Sequence, residues 1–382
     1  MKRLLSCFLL LSVRLMPLMV PAEEEDVSLF AKPTATPTVD SVQPEAEEQE
    51  TIPSNPEEPV TLQPDGSILI TISAGGDLTF GGDVRERRES LFDRELKRQG
   101  GDLSFVARNV REILEKDDMT LVNFETTLTT APVYKKNNSF VFSAPLEYVE
   151  ILDHFSIEAV SFENNHAIDH GETGIEETQR VLTQAGIVWS TEAYPAIYET
   201  KGVRIGMLAY QTFNGNYPRL MEKVPQDIAM MRQKSDIVIV SYHWGDELDY
   251  MPNSNQQDLG RLTIDSGADL VLGHHSHRIN PIEQYNGKYI VYSLANFSFA
   301  GNNKPSDMSS FIFQTRFSFK DGQAAPQGFR IVPMRISSKT DYNDFIPTPY
   351  TDQRQIDTVI NTMLSNSRKL PYAVTNYPLD WE

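Results

Sequence analysis

The sequence predicts an α/β protein built as a four-layer α-β-β-α sandwich, two β-sheets packed together with helices on the outer sides. Three observations predict it. Short β-rich runs alternate with helix-like segments from residue 67 onward. Several of those runs end in a small group of carboxylate, amide or imidazole residues, and open α/β sheets place their ligands at strand C-termini. Late in the chain two longer β-rich runs flank Lys320-Asp321-Gly322, a tight-turn signal.

The β-rich runs cover residues 68–73, 120–124, 159–162, 204–210, 237–242, 270–273 and 289–293. Between them, helical patterning covers 104–116, 174–185 and 256–266, and the last two are each followed closely by a glycine stop, Gly186 and Gly267. Runs 311–319 and 329–336 read as a β-hairpin. These elements place one domain at 67–336. The remainder, 337–382, holds a short helix at 353–364 and is punctuated by Pro347, Pro349, Pro371 and Pro378, so it is expected to wrap onto the domain as an extension.

Ahead of the domain, Lys2-Arg3 precede an apolar stretch broken by Arg14 and closed by Val20-Pro21-Ala22. That layout over residues 1–22 is an export signal, either cleaved or retained as a membrane anchor, and implies an extracellular or cell-surface protein. Residues 23–66 are rich in Glu, Pro and Thr, hold Lys32 as their one basic residue and lack an apolar period. Such a stretch cannot bury enough apolar surface to offset chain entropy and reads as a disordered linker, either a spacer or a solvated leader.

With 382 residues and 40% hydrophobic content, the chain can bury a large core. Its formal net charge of -19 argues against nucleic acid as a partner, because like charges repel at long range, and favours a cation. The single cysteine, Cys7, lies in the N-terminal apolar stretch, so the domain has no disulfide and no thiolate site. Any metal there must take nitrogen and oxygen ligands.

Five strand ends carry suitable groups: Gly76-Asp77, Asn123-Phe124-Glu125, Asn164-Asn165-His166, His243-Trp244-Gly245 and Gly273-His274-His275-Ser276-His277. Singly, each has a plainer reading. Asp77 and Asn165 are common turn formers, Glu125 could be a surface carboxylate and His243 a satisfied core histidine. His275 and His277 are more specific, since residues two apart share one side of a strand or can wrap one ion from a loop. Jointly the clusters point to one or two divalent ions, Mn, Fe, Zn or Mg, in a hydrolytic centre.

The order of these motifs, followed by Tyr292-Ser293-Leu294-Ala295-Asn296-Phe297, resembles the CapA family of capsule and poly-γ-glutamate synthesis proteins, itself similar to calcineurin-like metallophosphoesterases. The resemblance covers about residues 70–299. It implies that Glu125 bridges two metals, that Asp77 and His277 belong mainly to one, and that Asn165, His243 and His275 belong to the other. His166 would then contact the substrate phosphate and protonate the leaving group. The family's usual Asp-x-His is missing its histidine, because Thr79 stands two residues after Asp77. Glu163 adds a carboxylate, read as a solvated neighbour rather than a ligand, and Ala295 replaces a common glycine, which demands an unstrained backbone there.

Two functions compete. One is an exported metal-dependent hydrolase acting on a phosphoester or a cell-envelope polymer; the other is a non-catalytic component of a capsule or polyglutamate synthesis complex at the membrane. A nucleotide phosphatase is a weaker third, since no separate nucleotide-binding domain with stacking aromatics follows the last motif.

Overall fold

The computed structural model describes residues 52–53, 60–83, 89–134 and 140–381. The export segment and most of the acidic linker lie outside the described residues. Within the linker stretch, Ile52–Pro53 pairs with Tyr198 and Glu199, and Leu62 forms a bridge with Ile68.

The organising strand is Ile68–Thr79, whose sequence ILITISAGGDLT is buried almost throughout its second half. It pairs in parallel with Met119–Phe124 and antiparallel with Ser309–Lys320, and takes Asn296–Phe299 in parallel at its end. The sheet continues through Ala159–Ser161 and Val188–Ser190 on one side, and through Gln323–Arg335 and Thr348–Pro349 on the other, giving seven strands along its path and Asn296–Phe299 as an eighth off it. A second sheet of seven strands centres on the parallel set Val203–Gln211, Ile237–His243, Leu270–His274 and Lys288–Val291.

Side-chain alternation along these strands separates three apolar layers, because successive residues point to opposite faces. Ile70, Ile72 and Ala74 meet Ile205, Met207, Ile237 and Ile239 between the sheets. Leu78, Val122 and Phe124 face outward onto Phe92, Phe105, Leu152, Phe155 and Leu182 of the flanking helical layer. On the other outer side, Val238, Val240 and Tyr242 pack on Leu220, Val224 and Ile228 of the helix Tyr217–Met231 and on Leu259 of the helix Ser254–Asp265. This is the four-layer sandwich that the sequence predicts.

Some elements differ from expectation. The helix expected at 104–116 is instead a 3-10 turn, Leu103–Ala107, followed by the short helix Arg111–Leu114. Phe105, Val106 and Ala107 are all buried, and three successive apolar residues exceed what one face of a regular helix presents to a core. The helix Tyr217–Met231 carries Pro225 in its interior, which ordinarily costs about 3 kcal/mol. Its buried face of Leu220, Val224, Ile228 and Met231 outweighs that cost, at roughly 1.5–3 kcal/mol for each fully buried large side chain.

The hairpin forms as expected, with Asp321 and Gly322 both at positive φ in its turn. After it, the helix Gln353–Ser367 is capped by the Asp352 side chain, which accepts from the Arg354 and Gln355 amides. Val359, Met363 and Tyr377 enter the layer between the sheets. Ile331 N–H donates to Pro378 O and Val374 N–H to Ile282 O, so the last segment binds both sheets.

Candidate metal centre

Two glycines set the geometry of the site. The segment Tyr292–Asn296 crosses from the strand Lys288–Val291 in one sheet to Asn296–Phe299 in the other. On its way it lies directly over two strand ends, where a Cβ on Gly76 would come within 2.0 Å of Ala295 O and one on Gly273 within 2.1 Å of Tyr292 O. Only glycine permits that approach. The register slips between Ala74 and Asp77, a bulge that re-aims the Asp77 carboxylate, and Asp77 N–H donates to Ala295 O at 2.9 Å. Ala295 itself has φ 58°, so the unstrained backbone expected there is corrected: a left-handed alanine is held in place by its bond with Asp77 and by donating to Ser293 Oγ.

Around this crossing the predicted residues converge. Asp77 Oδ2 lies 3.0 Å from His277 Nδ1, and the His275 amide approaches the same oxygen at 3.3 Å. His243 Nε2 lies 2.8 Å from Asn165 Oδ1 and 3.0 Å from His275 Nδ1. Glu125 Oε1 stands 3.8 Å from His243 Nε2 and 3.9 Å from His166 Nε2. Asp77, Glu125 and His243 each offer a ligand atom within 4.8 Å of the others, and all three are buried. His275 and His277 adopt positive φ of 89° and 52°, conformations that cost an ordinary residue of order 1–3 kcal/mol and cluster at functional sites.

His166 is oriented rather than free. Its Nδ1 lies 2.8 Å from Asp169 Oδ2, which also accepts from Phe142 N–H, and its ring packs on Phe142 at 4.5 Å. Asn164 pins the loop, donating to Phe124 O and accepting from the His166 amide. Holding Nδ1 on the carboxylate leaves Nε2 on the side of Glu125.

Electrostatics divide the cluster. Burial and the Asp77 charge push the Glu125 carboxyl well above its usual range. Burial would raise Asp77 too, but the His277 hydrogen bond and charge hold it low. Burial opposes charge on His277, yet the Asp77 hydrogen bond and the Glu125 charge raise it to about 9. His275 is lowered to about 4 by burial and by the His277 charge, and His243 falls well below the usual value for the same kinds of reason. Neutral imidazoles at His243 and His275 present lone pairs, as metal ligands must.

The donor set fits a divalent ion: carboxylate, imidazole and amide oxygen, without sulfur. Buried polar atoms without partners agree, since neither ring nitrogen of the buried His274 makes a hydrogen bond.

One neighbouring residue falls differently from the sequence reading. Glu163 is no solvated neighbour; its oxygens accept from the Glu192 amide and from Gln211 Nε2, and burial raises its carboxyl. Trp244 is fully buried and donates to Tyr292 O, a packing role. Asn123 is the residue that motif reading overlooked as a participant. Its amide nitrogen lies 2.8 Å from Asp77 Oδ1 and 3.2 Å from His243 Nδ1. The available signal was its spacing, two residues before Glu125 and therefore on the same strand face. Asn296, quoted in the last motif without a ligand role, lies 2.9 Å from His277 Nδ1, whereas Phe213, edge-on to His275, belongs to no motif and was silent.

Comparison with known proteins places the chain in a family. Residues 71–300 match the family described as bacterial capsule synthesis protein PGA_cap. The chain is 31% identical over 241 residues to a protein named PGA biosynthesis protein CapA from Bacillus subtilis, covering 58% of this chain and 62% of that one. It is 27% identical over 255 residues to the capsule biosynthesis protein CapA of Bacillus anthracis, covering 60% of each. The chain thus spans less than two thirds of the length of these relatives. A solved calcineurin-like phosphoesterase, YfkN from Bacillus subtilis, aligns at 15% identity and a TM-score of 0.44 over 79% of this chain and 98% of that one.

Proposed function

We propose that this chain, which belongs to the bacterial capsule synthesis protein family PGA_cap, is an exported metal-dependent hydrolase acting on a phosphoester or a cell-envelope polymer during capsule-type polymer synthesis. The observation that carries the reading is the buried cluster of Asp77, Glu125 and His243, joined by Asn165, His275 and His277. A divalent ion bound there would supply Lewis acidity toward a phosphoryl oxygen and toward water. The chain's own residues do the rest. Asp77, His277, His243, His275, Asn165 and Glu125 would hold a divalent ion, and the buried surroundings would strengthen each electrostatic contact. His166, its Nδ1 fixed by Asp169, presents Nε2 for proton transfer to a leaving oxygen.

A second reading, a one-ion binding platform without turnover, has its own support. Thr79 replaces the usual imidazole and donates to Glu125 O, and the Asn123 amide occupies Asp77 Oδ1 and His243 Nδ1. One measurement separates the two. Elemental analysis of the purified chain is expected to show near-stoichiometric divalent metal, lost in Glu125→Ala and in the His275→Ala/His277→Ala double variant. Phosphodiester turnover should fall with it by about a hundredfold or more, the equivalent of losing a few kcal/mol of transition-state stabilisation. Metal without turnover on phosphodiesters, phosphomonoesters or polymer would favour the platform, and no metal under any loading would end both readings.

A further inference from the structure

Phenylalanines wall the histidine cluster, and they do so unevenly. On the His243 side one ring serves, Phe213, whose centroid lies 4.6 Å from that of His275 and 5.8 Å from that of His243. On the His166 side three rings form a continuous row. Phe142 packs on His166 at 4.5 Å and Phe299 on His277 at 5.0 Å; the two phenylalanines lie 6.0 Å apart, and Phe140 stacks on Phe142 at 5.9 Å. Gly301 makes room for the row, because a Cβ there would come within 2.5 Å of the Phe299 ring and 3.0 Å of the Phe142 ring. The row passes from the interior to water: Phe142 is buried, Phe299 half-buried and Phe140 50% exposed.

Position gives this row a role. In the proposed reaction His166 Nε2 stands where a leaving oxygen takes its proton, so whatever that oxygen carries lies beside Phe142 and runs outward past Phe140. A single exposed phenylalanine is ordinary, but Phe140 continues a line of rings that ends on two imidazoles of the cluster. Neighbouring charges are negative. Asp169 holds His166 Nδ1 at 2.8 Å, Asp83 stands opposite Phe142 across a strand pair, and the Glu247 charge bears on both Glu125 and His277. A leaving group with carboxylates of its own would meet repulsion there. A planar base finds no slot between the rings, because the His166–Phe142, Phe142–Phe299 and His277–Phe299 pairs meet at 53°, 79° and 50°. The parallel pair, Phe140 and Phe142, is closed on itself. A flexible alkyl chain follows tilted rings and gains dispersion contacts from each.

We propose that Phe140, Phe142 and Phe299 form a leaving-group subsite that takes the alkyl chain of an uncharged, apolar alcohol esterified to the phosphate. The assignment rests on the hydrolase reading through the placing of His166. Water attacks phosphorus, the bond from phosphorus to the alkoxy oxygen breaks, and its electron pair stays on that oxygen, which takes the proton from His166 Nε2. The attacking water releases a proton in turn, which restores His166. The products are the phosphate and the free alcohol, and the alcohol departs along the row of rings.

The test is calorimetric titration of the full chain, in excess Mn²⁺, with alkylphosphonates from ethyl to octyl, whose carbon–phosphorus bond resists hydrolysis. Affinity is expected to rise by up to about fourfold for each methylene, the limit set by burying one, and by at least about tenfold from ethyl to octyl. Phe140→Ser, at an exposed position where the fold has little to lose, should cut the octyl-to-ethyl ratio severalfold, and Phe299→Ser should do the same. The ratio is internal, so weaker ion loading that affects both ligands alike leaves it unchanged. If Phe299→Ser unfolds, Phe140→Ser decides. The 7-carboxyheptylphosphonate, equal in length but ending in a carboxylate, should bind about tenfold more weakly than octylphosphonate, close to the ethyl compound. Absence of saturation, a flat length series, a ratio unchanged in Phe140→Ser, or adenosine monophosphate binding more tightly than octylphosphonate would overturn the proposal. Turnover of alkyl phosphodiesters is read separately. Length-dependent binding without turnover would remove the hydrolase and keep the alkyl subsite, whereas turnover of short diesters with a flat series would remove the subsite and keep the hydrolase.

Discussion

Leu248 illustrates how the site's loops are held. It is 58% exposed, has φ 65°, and its amide donates to Ser276 O within the histidine loop. A leucine side chain gains little there, while the left-handed conformation costs about 1–2 kcal/mol, partly offset against glycine by the 0.5–1 kcal/mol of backbone entropy that glycine loses. Leu248→Gly is therefore expected to stabilise the fold by roughly 0.5–1 kcal/mol, read as a higher denaturant midpoint at unchanged slope. An equal or lower midpoint would mean that the exposed leucine is held by contacts that outweigh its strain. At this scale the sequence spoke clearly where chemistry and position coincide. Asp77, Glu125, Asn165, His243, His275 and His277 are polar residues at strand ends and all converge. It signalled Asn123 only weakly, through its place two residues before Glu125, and was silent on Phe213, because a strand amide and a phenylalanine in a loop have many ordinary uses. It misjudged Ala295, since tolerance of a left-handed alanine depends on Asp77 N–H and Ser293 Oγ, partners that only the fold brings near.

Among the elements, the helix Ser254–Asp265 shows local and tertiary signals agreeing. Asn253 accepts from the Gln256 amide while the Gln256 side chain accepts from the Asn253 amide, a reciprocal capping box. Asn253→Ala should cost about 1 kcal/mol, within a range of 0.5–2, by chemical denaturation. The helix packs directly behind His243-Trp244, so metal content measured on the same variant shows whether a frayed helix start reaches the site. Loss of stability without loss of metal is the expected result. The helix Tyr217–Met231 is the contrasting case. Its two prolines hid it from a reading based on propensity, and only the apolar layer onto which Leu220, Val224 and Ile228 fit accounts for its persistence. Similarly, the helix expected at 104–116 divides because its buried residues outnumber one helical face.

For the molecule as a whole, charge is distributed by depth. The histidine cluster occupies the C-terminal end of the parallel strands, and the opposite end holds two partly buried acids, Asp117 and Glu158, each raised to about 7 chiefly by loss of solvation. Their unfolded values are near 3.8 and 4.5, so between about pH 4.5 and 7 the folded chain binds more protons than the unfolded one. Stability contributed by these groups therefore falls as pH rises through that window and stays low above it. Glu158→Gln should flatten the decline, with the denaturant midpoint of the variant exceeding the parent's at pH 8 and converging with it near pH 4.5. Parallel curves for the two proteins would show that Glu158 ionises without cost. Layering was legible from the sequence because alternation along each strand separates the three apolar layers. The stacking of Arg316 and Arg330 on Trp381 was not, because two arginines of one hairpin and a tryptophan far beyond it in sequence had to be brought together first.

The way the last segment enters the layer between the sheets has a consequence for biosynthesis. Val359, Met363 and Tyr377 fill that interior, and residues 374 and 378 tie to both sheets, yet all of them leave the ribosome after every strand has been made. Until they arrive, the facing apolar surfaces of the two sheets remain incompletely covered and the sandwich cannot lock. The interior is therefore completed only once residues 359–378, which follow every strand in sequence order, have been made.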